Sequence, residues 1–197
     1  MRLSLIASIR RLDQVTRRFR DDRRGLAAVE FALIVPLMLM MVFGTIEITN
    51  GIAVKRKIDL VSRTLSDLTS RASTLSSTDV TSFFTVGSAI MQPYGSSLAA
   101  TISEVYIDPI TAAGSIIWSQ ASGGGILHAA GSPVSVPSGL ISKDAQGKVV
   151  ANQYLIYAEA SYLYVPAVGY VMNKAGITLA ESTFTRPRQS NSVTYTP

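Results

Sequence analysis

Residues 23–48, RRGLAAVEFALIVPLMLMMVFGTIEI, constrain this chain more than any other stretch. From Leu26 to Ile46 the one ionisable side chain is Glu30. A helix rises about 1.5 Å per residue, so roughly 20 apolar residues cross the hydrocarbon core of a bilayer. Residues 26–48 are therefore expected to form a transmembrane helix. A cleaved secretory signal shares the basic start, but its apolar region is typically about 7–15 residues long and leads to a small-residue cleavage site. Here the run is longer and passes into a charged, helix-patterned segment, which favours a retained anchor.

Charge orients such a span. Residues 1–24 hold eight arginines against three aspartates, a net of +5, and the remaining chain holds equal numbers of basic and acidic side chains. Positive charge beside a span stays cytoplasmic, so the N-terminus is expected inside and the larger C-terminal part outside, although Lys55, Arg56 and Lys57 reduce the contrast. Within residues 3–19, Ile6, Ile9, Leu12, Val15 and Phe19 recur at steps of three and four among the arginines. That is the pattern of a basic amphipathic helix lying on an anionic leaflet. Nucleic acid is the rival partner for arginines at this density. Beside a span the nearer anion is lipid, so membrane lipids, and no nucleic acid, are the expected partners.

Three features inside the span bear on how it packs. Glu30 is a costly group in an apolar segment, and such groups usually have a partner and a role. Equally, one helical turn past Arg24, it can sit at the headgroup boundary or pair with a basic neighbour. Pro36 removes a backbone donor and crowds the preceding turn, so the helix is expected to kink or loosen there. Gly44 and Gly51 flank Glu47 on one local face, and small residues let helices approach closely in a membrane.

Beyond the span, Val54, Ile58, Val61, Leu65, Leu68, Ala72 and Leu75 alternate steps of four and three. This stripe predicts an amphipathic helix continuing over 49–76, its distal turns packed on its own domain, with a seam for a partner helix as the sharper alternative. The Ser/Thr-rich residues 73–78 suggest a break, Ser77 or Thr78 then capping a short helix through Ile90 that Pro93, Tyr94 and Gly95 stop. From Ala99 the chain reads as strands over 101–108, 115–120, 153–165 and 177–186, rich in β-branched and aromatic residues. Alternation along the third places Tyr154, Ile156, Ala158, Ala160, Tyr162 and Tyr164 on one face. The fold class is α+β: a long N-terminal transmembrane and amphipathic helix packed on a small, mainly antiparallel β-sheet domain over 77–197. Residues 121–150, rich in Gly, Ser and Pro, are expected to form long surface loops.

Catalytic inventories are short of parts. The chain has no cysteine and a single histidine, His128, so thiolate metal sites, disulfides and redox pairs are excluded and hydrolytic triads have one candidate base. His128 is expected to be an ordinary exposed loop histidine. The triple glycine 123–125 lacks the lysine and following helix of a phosphate-binding loop. No catalytic residue, metal or cofactor is expected, and the chain is not expected to be an enzyme.

The wording Gly25-Leu-Ala-Ala-Val-Glu30-Phe31-Ala32, then Pro36, then Gly44-Thr-Ile-Glu47, resembles the TadE/TadG-like pseudopilins of the tight-adherence (Flp, type IVb) pilus system over residues 23–71. The resemblance implies a pilin-like fold and cleavage by a prepilin peptidase between Gly25 and Leu26, with residues 1–25 as a cytoplasmic leader. It implies that Glu30, next to Phe31, pairs with the free amine of a neighbouring subunit and sets assembly register; opposite charges in a poorly screened setting attract strongly. It further implies other pilus subunits and assembly-platform proteins as partners, and a bacterial inner membrane with the C-terminal domain periplasmic. The alternative is an uncleaved, single-pass periplasmic binding or scaffold protein of an envelope complex. Gly25 and Glu30 separate the two, since only the pseudopilin needs them.

Overall fold

A computed structural model describes residues 24–94, 97–166 and 176–197. The helix expected over residues 3–19 lies outside the described residues. The chain divides into two compact units, Met1–Ile46 and Glu47–Pro197.

In the first unit the described chain is helical, the opening part of α1, Arg24–Ser70. Its large apolar side chains face outward, Phe31 being 69 % and Met40 72 % exposed. By length and composition α1 can cross a membrane. The helix continues through Pro36, where the ring withholds the donor that the Ala32 carbonyl would otherwise receive.

In the second unit the same helix supplies a core stripe. Val54, Ile58, Val61 and Leu65 are completely buried, as their spacing predicts. The helix stops at Ser70, short of the expected residue 76. Its last carbonyl accepts the Arg188 backbone N–H at 2.8 Å, and the chain then extends as β1, Thr74–Ser76. Leu75 is buried as expected, but as a strand residue. Ser76 caps the second helix, α2 (Ser77–Ile90), one residue earlier than expected. Its hydroxyl accepts from Asp79 N–H at 3.2 Å, and its own N–H donates to the Asp79 carboxylate at 2.9 Å, a reciprocal capping box.

The sheet follows: β2 (Leu98–Ile107), β3 (Gly114–Ser122), β4 (Pro133–Val134), β5 (Gln153–Tyr164) and β6 (Ile177–Thr185). Its spatial order is β4-β3-β2-β5-β6, antiparallel at each step. A last strand, β7 (Thr194–Thr196), pairs in parallel with β1. The four expected strands are all present, and the architecture is α+β with a long N-terminal apolar helix.

One face of the sheet, with Ala100, Ile102, Ile156, Ala158 and Ala160, packs against the α1 stripe and α2. The other face corrects an expectation. Residues 121–150 are not only surface loop: Val134, Val136, Leu140 and Ile141 fold back over Val105, Ile107, Ile116 and Leu155 as a second, smaller core. A strand of two residues and a single turn of 3₁₀ helix, Ser138–Leu140, are the regular structure in that cover. Steps of two, four and one between these residues fit neither a strand nor a helix period that a local pattern can register.

Candidate functional site

The residues named from the resemblance begin in the first unit. Leu26, Glu30, Phe31 and Pro36 are all exposed on α1. A Cβ built on Gly25 or Gly44 meets nothing within 4 Å. Between Gly25 and Ile46 the described chain therefore offers an uncovered apolar helix with a carboxylate near its start.

Glu47 and Gly51 lie in the second unit, where they are built into the end of the sheet. The Tyr164 hydroxyl, on the last residue of β5, donates to Glu47 Oε2 at 2.8 Å. Gly51 lies beneath the same ring, its would-be Cβ 3.8 Å from Tyr164 Cε1. Burial, followed by the adjoining Glu47 carboxylate, pushes the Tyr164 phenol up to about 12. The glycine thus accommodates an aromatic ring of its own chain.

The cations that follow the exposed apolar stretch of α1 have structural duties. Lys55 pairs with Glu181 of β6. Lys57 Nζ donates to the carbonyls of Ile90 and Gln92 at 2.8 and 2.7 Å, where the end of α2 concentrates negative partial charge, and lies 5.8 Å from the Tyr94 ring centroid. These contacts account for two of the three basic residues, Lys55, Arg56 and Lys57, that reduce the charge contrast read from the sequence.

Two polar clusters escaped the sequence reading. Glu104, 2 % exposed, accepts the Val193 N–H at 2.6 Å while Trp118 Nε1 donates to the Val193 carbonyl at 2.7 Å. Together they hold both backbone groups of the residue leading into β7. On the opposite face of the sheet His128 is not an ordinary exposed loop residue: its imidazole is hydrogen-bonded to Glu159, whose other oxygen accepts from the Tyr157 hydroxyl at 2.8 Å. Burial and the neighbouring carboxylate push Tyr157 up to about 12. The Ser119 hydroxyl accepts the His128 backbone N–H at 3.3 Å, so its link to His128 runs through the main chain and not through the imidazole. Neither cluster had a sequence signal, because Glu104 and Val193, or His128 and Glu159, meet only through tertiary pairing.

The triple glycine also finds its reason here. Gly123 adopts φ +64°, and a Cβ on it would lie 1.8 Å from the Leu98 carbonyl oxygen. A Cβ on Gly125 would lie 2.3 Å from the Ala100 oxygen. The run lets the chain leave β3 pressed against the backbone of β2. Among the described residues no group of three or more His, Cys, Asp or Glu is placed to hold a metal ion.

Residues 25–65 match the model of the TadE-like protein family. No curated protein and no solved structure matches the chain.

Proposed function

We propose that this chain, TadE-like over residues 25–65, is a minor pseudopilin or assembly protein of a tight-adherence (Flp, type IVb) pilus, contributing to pilus biogenesis and surface adherence. The carrying observation is the helix from Gly25 to Ile46, which leaves its apolar side chains exposed and holds Glu30 as the one ionisable group from Leu26 to Ile46. A helix of this kind is at home in a bilayer, or among similar helices in the core of a fibre. In this reading a prepilin peptidase cuts after Gly25 on the cytoplasmic side, the Leu26 amine is freed, and Glu30 of one subunit pairs with that amine in another. Phe31 packs beside the pair. Membrane lipids, the peptidase, other pilus subunits and assembly-platform proteins are its partners, and the second unit is periplasmic.

The test is intact-mass analysis of the membrane-extracted chain, expressed with and without a prepilin peptidase, beside Gly25→Ala. Loss of residues 1–25 that requires both the peptidase and Gly25 is expected. An intact N-terminus in the presence of the cognate peptidase would overturn the cleavage and leave the anchored, uncleaved periplasmic module.

A further inference from the structure

The end of the sheet where β5 stops and β6 begins carries exposed apolar surface. Leu163 and Ile177 are 50 % and 59 % exposed there, and Ile48 and Ile52, on the first turns of α1 in this unit, 67 % and 50 %. Tyr164 stands between two open grooves. One, about 370 Å³, is bounded by Ile48, Gly51, Ile52, Ile177 and Leu179; the other, about 290 Å³, by Tyr94, Tyr162 and Leu163. Both tyrosine hydroxyls and the lysine beside them are partnered: Tyr164 is bonded to Glu47, Tyr162 donates to the Tyr94 carbonyl, and Lys55 is paired with Glu181. Covering this surface with hydrocarbon strands none of those groups, which is the usual cost of such burial. Tyrosines with an apolar body and a bonded polar tip are the residues enriched where membranes meet water.

The chain itself limits what covers the patch. Glu47 is covalently joined to Ile46, the last residue of the first unit, within the continuous helix α1. Ile48 and Ile52 follow within two helical turns, so a helix that spans a bilayer delivers them within roughly 10 Å of its surface. We propose that the patch of Ile48, Ile52, Leu163, Tyr164 and Ile177 seats the second unit in the headgroup and upper acyl layer of a phospholipid bilayer. The inference rests on the reading of the first unit as a membrane span. Ile110, 90 % exposed, is the natural control: it lies just past Ile107, whose β5 partner Gln153 is at the opposite end of that strand from Tyr164, roughly 35 Å away at strand spacing.

The chain has no cysteine, so Ile177→Cys, Leu163→Cys, Ile110→Cys and Leu37→Cys each carry one environment-sensitive fluorophore on the full chain. The labelled proteins are reconstituted in phosphatidylethanolamine–phosphatidylglycerol vesicles bearing nitroxides at the headgroup or deep in the acyl chain, with Trp118 emission as the check on folding. Labels at 163 and 177 are expected to shift to the blue and to be quenched severalfold more by the shallow nitroxide than the label at 110. The label at 37 is expected to respond to the deep one. If 37 responds and 177 behaves like 110, the interfacial seat is wrong while the span stands. If 37 does not respond, the span reading falls and takes the seat with it. Shielding at 177 that disappears as protein is diluted in lipid overturns the proposal in favour of a second copy covering the patch.

Discussion

The Tyr164 hydroxyl donates to the Glu47 carboxylate at 2.8 Å, tying the first residue of the second unit to the end of β5. Burial disfavours the phenolate, and the hydrogen-bonded Glu47 carboxylate adds to it, which accounts for the rise of the phenol to about 12. A phenol whose folded value is raised contributes stability that is complete below its ordinary 10 and is lost as pH climbs through about 12. Tyr164→Phe is expected to cost about 1–2 kcal/mol at pH 8, at the lower end for a bond to a charged group because the pair is partly solvated. Urea unfolding of the full chain in detergent, followed by Trp118 fluorescence, reads the loss. The gap from the parent chain should narrow toward pH 12, and a gap unchanged by pH would mean that the loss does not come through the phenolic proton.

Glu104 provides a test in the acid range. Desolvation raises its carboxyl above the ordinary 4.5, with the Val193 N–H and Trp118 pulling it partly back. The folded chain then holds the proton more tightly than the unfolded one. Its contribution is full below 4.5 and falls as pH rises through the folded value. Glu104→Gln keeps an oxygen for the Val193 N–H without the buried charge, so it should flatten that decline and match or exceed the parent at pH 7.5. Glu104→Ala strands the N–H and should cost about 1–3 kcal/mol. Far-UV circular dichroism across pH 4–8 separates the two, and equal losses in both variants would show that the charge itself is required.

What a reader of the sequence can see here is what local spacing encodes. Val54, Ile58, Val61 and Leu65 declare a helix face by their own period, and they are buried. Ile156, Ala158 and Ala160 declare a strand face in the same way. The stripe misleads beyond Leu65, since Leu75 keeps the step of three yet belongs to a strand whose partner, Tyr195, is far along the chain. Val134, Val136 and Leu140 have no period at all, and their burial depends on the β3–β4 pairing that folds the cover back. The ending Thr185-Arg186-Pro187-Arg188 shows the same limit. Arg186 donates to the Leu140 carbonyl at 2.6 Å and Arg188 reaches Asp67 at 2.7 Å, partners no window of neighbouring residues contains. Glu30 is the opposite case, a residue whose anomaly is plain in the sequence and which lies exposed on α1.

The glycines after β3 separate conformational strain from close approach. Gly123 and Gly124 both have positive φ, at +64° and +88°, but a Cβ on the first would strike the Leu98 oxygen while one on the second meets nothing within 4 Å. Gly124→Ala should therefore cost about 1 kcal/mol, for backbone strain alone. Gly123→Ala must also displace a strand backbone and should cost more than about 2 kcal/mol. Thermal melts of the two variants in one detergent give the comparison. Equal losses would mean that the chain leaves β3 by another path.

Glu30 is where the pilus reading stands or falls, and its two roles make opposite demands. An ionised side chain at the middle of a span costs about 2.5–3.5 kcal/mol to insert, and less toward the end. Glu30→Leu should thus leave insertion as good as or better than the parent's, and cleavage after Gly25 unchanged, since the peptide bond cut is five residues away. If the carboxylate pairs with a neighbour's Leu26 amine, the same variant loses subunit-to-subunit crosslinking through the helix. Glu30→Gln should fail likewise, because a neutral amide cannot offset a buried ammonium, whereas Glu30→Asp should restore part of the yield. The measurement is crosslinking yield between single-cysteine variants at residue 33, in cells carrying the rest of the assembly system, alongside intact mass to score cleavage. Normal crosslinking in Glu30→Leu would reduce Glu30 to a headgroup-boundary charge and remove the registration role from the proposal.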